Sequence, residues 1–235
     1  MAGEDQEKTE EPTSKKIEDA RKDGNVPKSQ DLAGFVTLAV AIFVVVALLG
    51  FIGDQFFTLY NYYQSLIGQE FTRKLLFSVA ITTIFRTLLI ILPIAVCIAI
   101  AGVVANLMQF GFIFTTKPLE PNLNKINPLK GLKNLFSLKK LIDGIKMVLK
   151  VTAVFTVGFL MFLSFIKELP HTLFFSMAAQ LAWLKEKMLI LAAVMLIVMF
   201  IIGLLDVLIV RFQYFRDLRM SKQEIKDEYK QMEGD

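Results

Sequence analysis

The chain has 235 residues, a net charge of +4 and a mean hydropathy of +0.54, with 54% hydrophobic residues. The excess of apolar residues over a soluble domain gathers in long runs, the mark of membrane segments. One cysteine, Cys97, and one histidine, His171, exclude a disulfide framework and a cysteine metal site within one chain and leave no partnered catalytic triad.

Residues 1–31 hold nine acids and six bases, with no apolar run of the kind a signal peptide carries. The first hydrophobic segment is therefore expected to be an uncleaved anchor. Pro12 stops any earlier helix, and Thr13 or Ser14 caps a short one. Lys15/Asp19 and Glu18/Lys22 have i,i+4 spacing, and Gly24 suits a left-handed helix end. With only Ile17, Ala20 and Val26 to bury, this segment is expected to be mobile or docked on a partner.

Residues 32–53 are uncharged and long enough to cross a hydrocarbon core of about 30 Å, with Asp54 closing the span. Residues 55–74 carry Phe56, Phe57, Tyr60, Tyr62 and Tyr63 and read as an interfacial loop or short helix. Residues 87–114 form a second uncharged run, which Pro93 is expected to kink. Arg86 precedes it, either as an intramembrane charge or, more plainly, as a snorkelling residue at the outer interface.

Residues 115–150 carry eight lysines and two acids, with apolar residues at helical spacing from Leu129 to Leu149. Asn127-Pro128 and Ser137 mark two helix starts, the second helix running on into a third span that ends near Ile166. From pattern alone the segment rests on anionic lipid. A short loop with Pro170 and Trp183 spans 167–187, and a fourth apolar run covers 188–205. Asp206, the one acid that could lie inside a span, is expected to be solvated or paired with Arg211 rather than to relay protons. Ser221 and Glu224 have capping-box spacing.

Lysine and arginine counts set the orientation. The 54–74 and 167–187 loops have two and three, against six, eight and six for the N-terminal region, the 115–150 loop and the 211–235 region. The basic regions belong in the cytoplasm. The fold expected is all-α: a polytopic membrane protein with four transmembrane helices as two hairpins and a long amphipathic cytoplasmic loop between spans two and three. Its parts are a cytoplasmic segment 1–31, a transmembrane domain 32–210 and a cytoplasmic linker helix 211–235.

Three polar blocks resemble the FlhB family of flagellar type III export switch proteins and its virulence-system counterparts. The first is Glu7-Lys-Thr-Glu-Glu-Pro-Thr13 with Lys15-Lys-Ile-Glu-Asp-Ala-Arg-Lys22, Gly24 and Ser29. The second is Gly111-Phe-Ile-Phe-Thr-Thr-Lys-Pro118 with Ile126-Asn-Pro-Leu-Lys-Gly131 and Leu135-Phe-Ser137. The third is Arg219-Met-Ser-Lys-Gln-Glu-Ile-Lys-Asp-Glu-Tyr-Lys230 with Glu233-Gly234.

The resemblance implies an inner-membrane protein beside the export gate of FliP, FliQ and FliR, contacted through Phe112, Phe114, Lys117, Pro118, Pro128, Leu132, Leu135 and Phe136. It implies that the loop links gate opening to the switching of export-substrate specificity. Through a C-terminal domain expected to be absent here, it implies contacts with FlhA and the hook-length control protein. Family members cleave themselves at Asn-Pro-Thr-His in that domain. The one Asn-Pro here, Asn127-Pro128, continues into Leu129-Lys130, so no catalytic role is expected. Neither a cofactor nor a nucleic acid is expected; membrane lipid is. The competing reading is an independent helical transporter, against which stands the scarcity of polar groups inside the spans.

Overall fold

The computed structural model describes residues 8–70, 72–116 and 138–233. Seven helices run through them: α1 (Ser14–Lys22), α2 (Gln30–Ala47), α3 (Leu49–Gln64), α4 (Arg73–Phe110), α5 (Leu138–Thr172), α6 (Met177–Asp217) and α7 (Lys222–Glu233). Four of them, α2, α4, α5 and α6, are long and apolar enough to cross a membrane. Among the described residues the chain is all-helical, with the architecture of a multi-pass membrane protein.

The helix ends differ from those of the apolar runs that announced them. The first span ends at Ala47 and not at Asp54, because Leu48, at φ −94° and ψ 4°, interrupts the helix before α3 follows. The backbone ladder continues through it, Leu48 N–H donating to Val44 and Ile52 N–H to Leu48 at 2.9 and 2.8 Å. The aromatic stretch that follows is helical to Gln64. The second span starts at Arg73 instead of 87 and stops at Phe110 instead of 114. Pro93 sits inside it without ending it. At 1.5 Å per residue, α4 is about 57 Å long, well beyond a hydrocarbon core of about 30 Å. Hydropathy reports the stretch immersed in lipid, whereas backbone hydrogen bonds carry a helix on into the polar zones.

The expected continuity of the amphipathic segment with span three holds from Leu138, but α5 passes Ile166 and Pro170 to end at Thr172. Four residues, 173–176, are all that remains of the 167–187 loop. Trp183 is helical, because Ser176 caps α6 by accepting from the Ala179 N–H. Helix α6 passes position 211 and ends at Asp217. The expected caps of the 115–150 loop at Asn127-Pro128 and Ser137 lie outside the described residues.

The chain divides into two compact units, one of residues 33–106 and one of residues 1–32 with 107–235. In the first, α2 and α4 approach closely, so that a Cβ on Gly102 would lie 3.5 Å from Thr37 Cγ2. Two hydroxyl pairs join α3 to α4: Tyr62 with Ser78 at 3.4 Å and Tyr63 with Thr83 at 2.6 Å. In the second, α5 and α6 touch along their length, Gly158 against Met195 and Glu168 against Lys187. Few side chains are buried, and large apolar residues such as Phe43, Phe85, Phe155 and Leu208 stand exposed on the spans. That is the reverse of a soluble core and suits surfaces that face lipid or protein.

Candidate functional site

The polar interactions of the second unit converge where the chain enters α2. Ser29 precedes that helix and caps it, its Oγ accepting from the Leu32 N–H at 3.1 Å. The same hydroxyl donates to Asp206 Oδ2 at 2.7 Å. The Ser29 backbone is clamped by one amide: its N–H donates to Gln109 Oε1 at 2.8 Å, and its carbonyl accepts from Gln109 Nε2 at 3.1 Å. Ser29 is only 2% exposed, so every polar group it carries needs such a partner.

Lys150 completes the cluster. Its ammonium bonds Asp206 Oδ1 at 2.7 Å and also Asp31, in the first turn of α2. Both carboxylates are mostly covered, Asp206 to 15% and Asp31 to 27% side-chain exposure. A single cation thus serves two acids, helped by the Ser29 hydroxyl and, for Asp31, by the positive end of α2. Gly203 makes the geometry accessible. A Cβ there would lie 3.1 Å from Leu32 Cα, so α6 meets the start of α2 at backbone distance. Asp206 lies three residues further on, the same face of the helix. Beside it, Pro27, Ser29, Leu32, Met108, Gln109 and Arg211 border a cavity of about 130 Å³.

The expected pairing of Asp206 with Arg211 is thus corrected: Lys150 and Ser29 take that carboxylate. Five residues separate Asp206 from Arg211, which a helix turns to different faces. Lys150 was counted among the loop lysines. The available signal was its position, directly before the uncharged run that begins at Val151.

The N-terminal segment docks on the chain itself. Glu10 and Met220 exchange both backbone hydrogen bonds, at 3.1 and 3.0 Å, in an isolated antiparallel bridge. Thr13 caps α1 by accepting from the Lys16 N–H and donates its own proton to the Glu228 carboxylate at 2.8 Å. Lys8 pairs with Glu224 at 2.9 Å, and the Tyr214 hydroxyl donates to the Asn25 carbonyl. The capping box at Ser221 and Glu224 is formed in both directions, at 3.1 and 3.2 Å. Lys8 foremost holds the Glu224 carboxyl below the usual carboxylate range; partial burial opposes this, and the Ser221 N–H adds to it. Gly24 takes the left-handed φ of 76° that ends α1.

Helix α4 closes on Gly111, also at φ 76°. Arg21 Nη2 donates to the Phe110 carbonyl at 3.1 Å and lies 2.9 Å from where a Gly111 Cβ would sit. A side chain there would meet strained backbone and the guanidinium together. Beyond it, Phe112 and Phe114 are 78% and 89% exposed. Of the other loop residues expected to make contacts, Lys117, Pro118, Pro128, Leu132, Leu135 and Phe136 lie outside the described residues. Arg86 belongs to the unit of residues 33–106. It lies well inside α4 instead of preceding the span, and its Nη1 donates to Gln55 Oε1 at 2.8 Å.

These features sit in a sequence with known relatives. The chain is 39% identical over 230 residues to the flagellar biosynthetic protein FlhB of Helicobacter pylori, and 34% identical over 234 residues to that of Bacillus subtilis. It is 30% identical over 236 residues to the Yop proteins translocation protein U of Yersinia pestis. The alignments take in 97–98% of this chain and 64% of each relative, so the chain spans a little under two thirds of their length. Residues 6–235 match the family described as FlhB HrpN YscU SpaS, and the chain belongs to that family.

Proposed function

We propose that the chain is the membrane part of a flagellar type III export apparatus in a bacterial inner membrane, with its N- and C-terminal segments in the cytoplasm. It acts there as an export-gate subunit, associating with FliP, FliQ and FliR through the 115–150 loop and coupling gate opening to substrate switching. The observation that carries this reading is the alignment with flagellar FlhB over 98% of the chain. The exposed Phe112 and Phe114, at the entry to a lysine-rich loop, supply apolar anchors of the kind a protein rim takes up.

On this reading α5 and α6 form one hairpin, α2 and α4 the other, and their exposed apolar faces spread around the gate. The subunit works by packing and by a bistable contact, not by covalent chemistry. FlhA and the hook-length control protein would be engaged by a domain following α7.

The test is affinity purification of the tagged chain in mild detergent, with and without co-expressed FliP, FliQ and FliR, read by native mass spectrometry. The expected result is a complex that Phe112→Ser with Phe114→Ser weakens and that Leu132→Ser, Leu135→Ser and Phe136→Ser together abolish. A chain that stays monodisperse and ignores the gate proteins overturns the proposal and favours an independent transporter.

A further inference from the structure

Between the N-terminal half of α5 and the last turns of α6 lies an open cleft of about 560 Å³. Its walls combine Ile142, Leu208 and Phe212 with Lys146, Arg216 and one acid, Asp143. The apolar members are largely uncovered, Ile142 to 52% and both Leu208 and Phe212 to 66%. Lys146 reaches Asp143 at only 3.5 Å, and Arg216 lies 6.0 Å from the Phe212 ring. Two cations against one carboxylate leave the cleft positive.

Its level along the helices identifies what fits. Lys146 is one turn from Lys150, and Phe212 less than two turns from Asp206, so the cleft opens just beyond the charge cluster. On α6, Leu208, Phe212 and Arg216 follow one another at i,i+4 on a single face. That face passes from aliphatic to aromatic to cationic as it leaves the apolar span. The order is that of a membrane boundary, with acyl chain, glycerol level and phosphate in turn. A basic recess between transmembrane helices at this depth is a recognised form of headgroup site.

We propose that this cleft binds an anionic phospholipid, with its acyl chain along Leu208 and Phe212 and its phosphate between Lys146 and Arg216. The site uses only residues of α5 and α6 and needs no gate subunit. The lipid wedges the two helices beside the Lys150–Asp206 pair, as an interchangeable part drawn from the bilayer.

The full chain is purified in detergent, mixed with equimolar phosphatidylglycerol and phosphatidylcholine, and read by native mass spectrometry. Phosphatidylglycerol is expected to be retained at least about fivefold over phosphatidylcholine. Lys146→Gln with Arg216→Gln removes that preference, while Lys167→Gln with Lys185→Gln, in the region of the α5–α6 turn, leaves it intact. Equal retention of both lipids, or the same preference in every variant, overturns the proposal. So does displacement of the lipid by an acidic peptide or inorganic phosphate at millimolar concentration, which would make the cleft a general anion site.

Because charge removal risks misfolding, a second measurement keeps both cations. Phe212→Trp in a Trp183→Phe background is placed in nanodiscs with brominated acyl chains. Quenching is expected to be stronger with brominated phosphatidylglycerol than with brominated phosphatidylcholine, and equal quenching overturns the site.

Discussion

Helices α5 and α6 carry an ion pair in the region of their connecting turn and another far along from it, and the two are built differently. Near the turn, Lys187 meets Glu168 at 2.6 Å, with the Trp183 indole N–H on the same carboxylate at 3.2 Å. The Lys187 ammonium also lies over the Phe165 ring at 5.6 Å. Everything in that group comes from α5 and α6. The far pair, Lys150 with Asp206, also recruits Asp31 and Ser29 from the start of α2, and Ser29 in turn holds Gln109 of α4. The first group fastens two neighbours; the second joins α5, α6 and the start of α2 on one ammonium. Charge placed near a turn is local, whereas charge placed at a crossing of chain segments decides how distant parts of the sequence assemble.

The sharpest way to break this contrast is Lys150→Met. It leaves Asp31 and Asp206 without their shared cation, and about 3 kcal/mol of stability should be lost. Thermal unfolding in detergent checks it. The triple variant Lys150→Met, Asp31→Asn, Asp206→Asn should recover most of the loss, since removing a whole buried ion group costs far less than orphaning part of it.

Gly203→Val tests the close approach instead of the charge. A Cβ already meets Leu32 Cα at 3.1 Å, so a branched side chain should push α6 from α2 at a cost of about 1–3 kcal/mol. The same variant should expose the Ser29 amide to hydrogen exchange. Thr13→Val removes both a helix cap and the bond to Glu228, for about 1 kcal/mol. Its effect should appear as faster proteolysis at residues 8–24, with the spans unchanged.

Acid should loosen the same docking. Glu224 has a lowered pKa in the folded chain, so its contribution is complete above the unfolded value of about 4.3 and fades as pH falls through the folded one. A distance probe between residues 9 and 223 should lengthen over that window in the parent and show no such step in Glu224→Gln. The smallest effect belongs near the turn. Glu168→Gln should shift the thermal midpoint far less than Lys150→Met, because its carboxylate is 45% exposed and screened by solvent.

The sequence announced the spans and the local caps well, because both depend on near neighbours. Hydrophobic runs located all four spans, and Thr13, Gly24 and the Ser221–Glu224 box stand where local chemistry puts them. Helix ends were read too short where a charge follows an apolar run, as at Lys167 and Asp206, since a charge ends immersion in lipid without ending a helix. The cluster was not legible. Asp206 was noticed, but its partner lies 56 residues earlier, and Ser29 lies 177 residues away. Spacing rules reach only a few residues along a helix, which is why they offered Arg211. For the N-terminal segment the open readings were mobility or docking on a partner; it docks instead on the chain's own Met220 and Glu228, a site that left no pattern in the sequence.

That long separation also orders the protein's biogenesis. At about 5–20 residues per second, the interval between synthesis of Ser29 and of Asp206 is roughly 10–35 s. For the first part of it Asp31 stands at the start of the first span without Lys150, and Ser29 lacks the Asp206 carboxylate until the fourth span is made. The cluster can therefore close only once the last span has been made. A nascent chain stalled before residue 206 would leave the Ser29 hydroxyl and the Lys150 ammonium without the carboxylate they share.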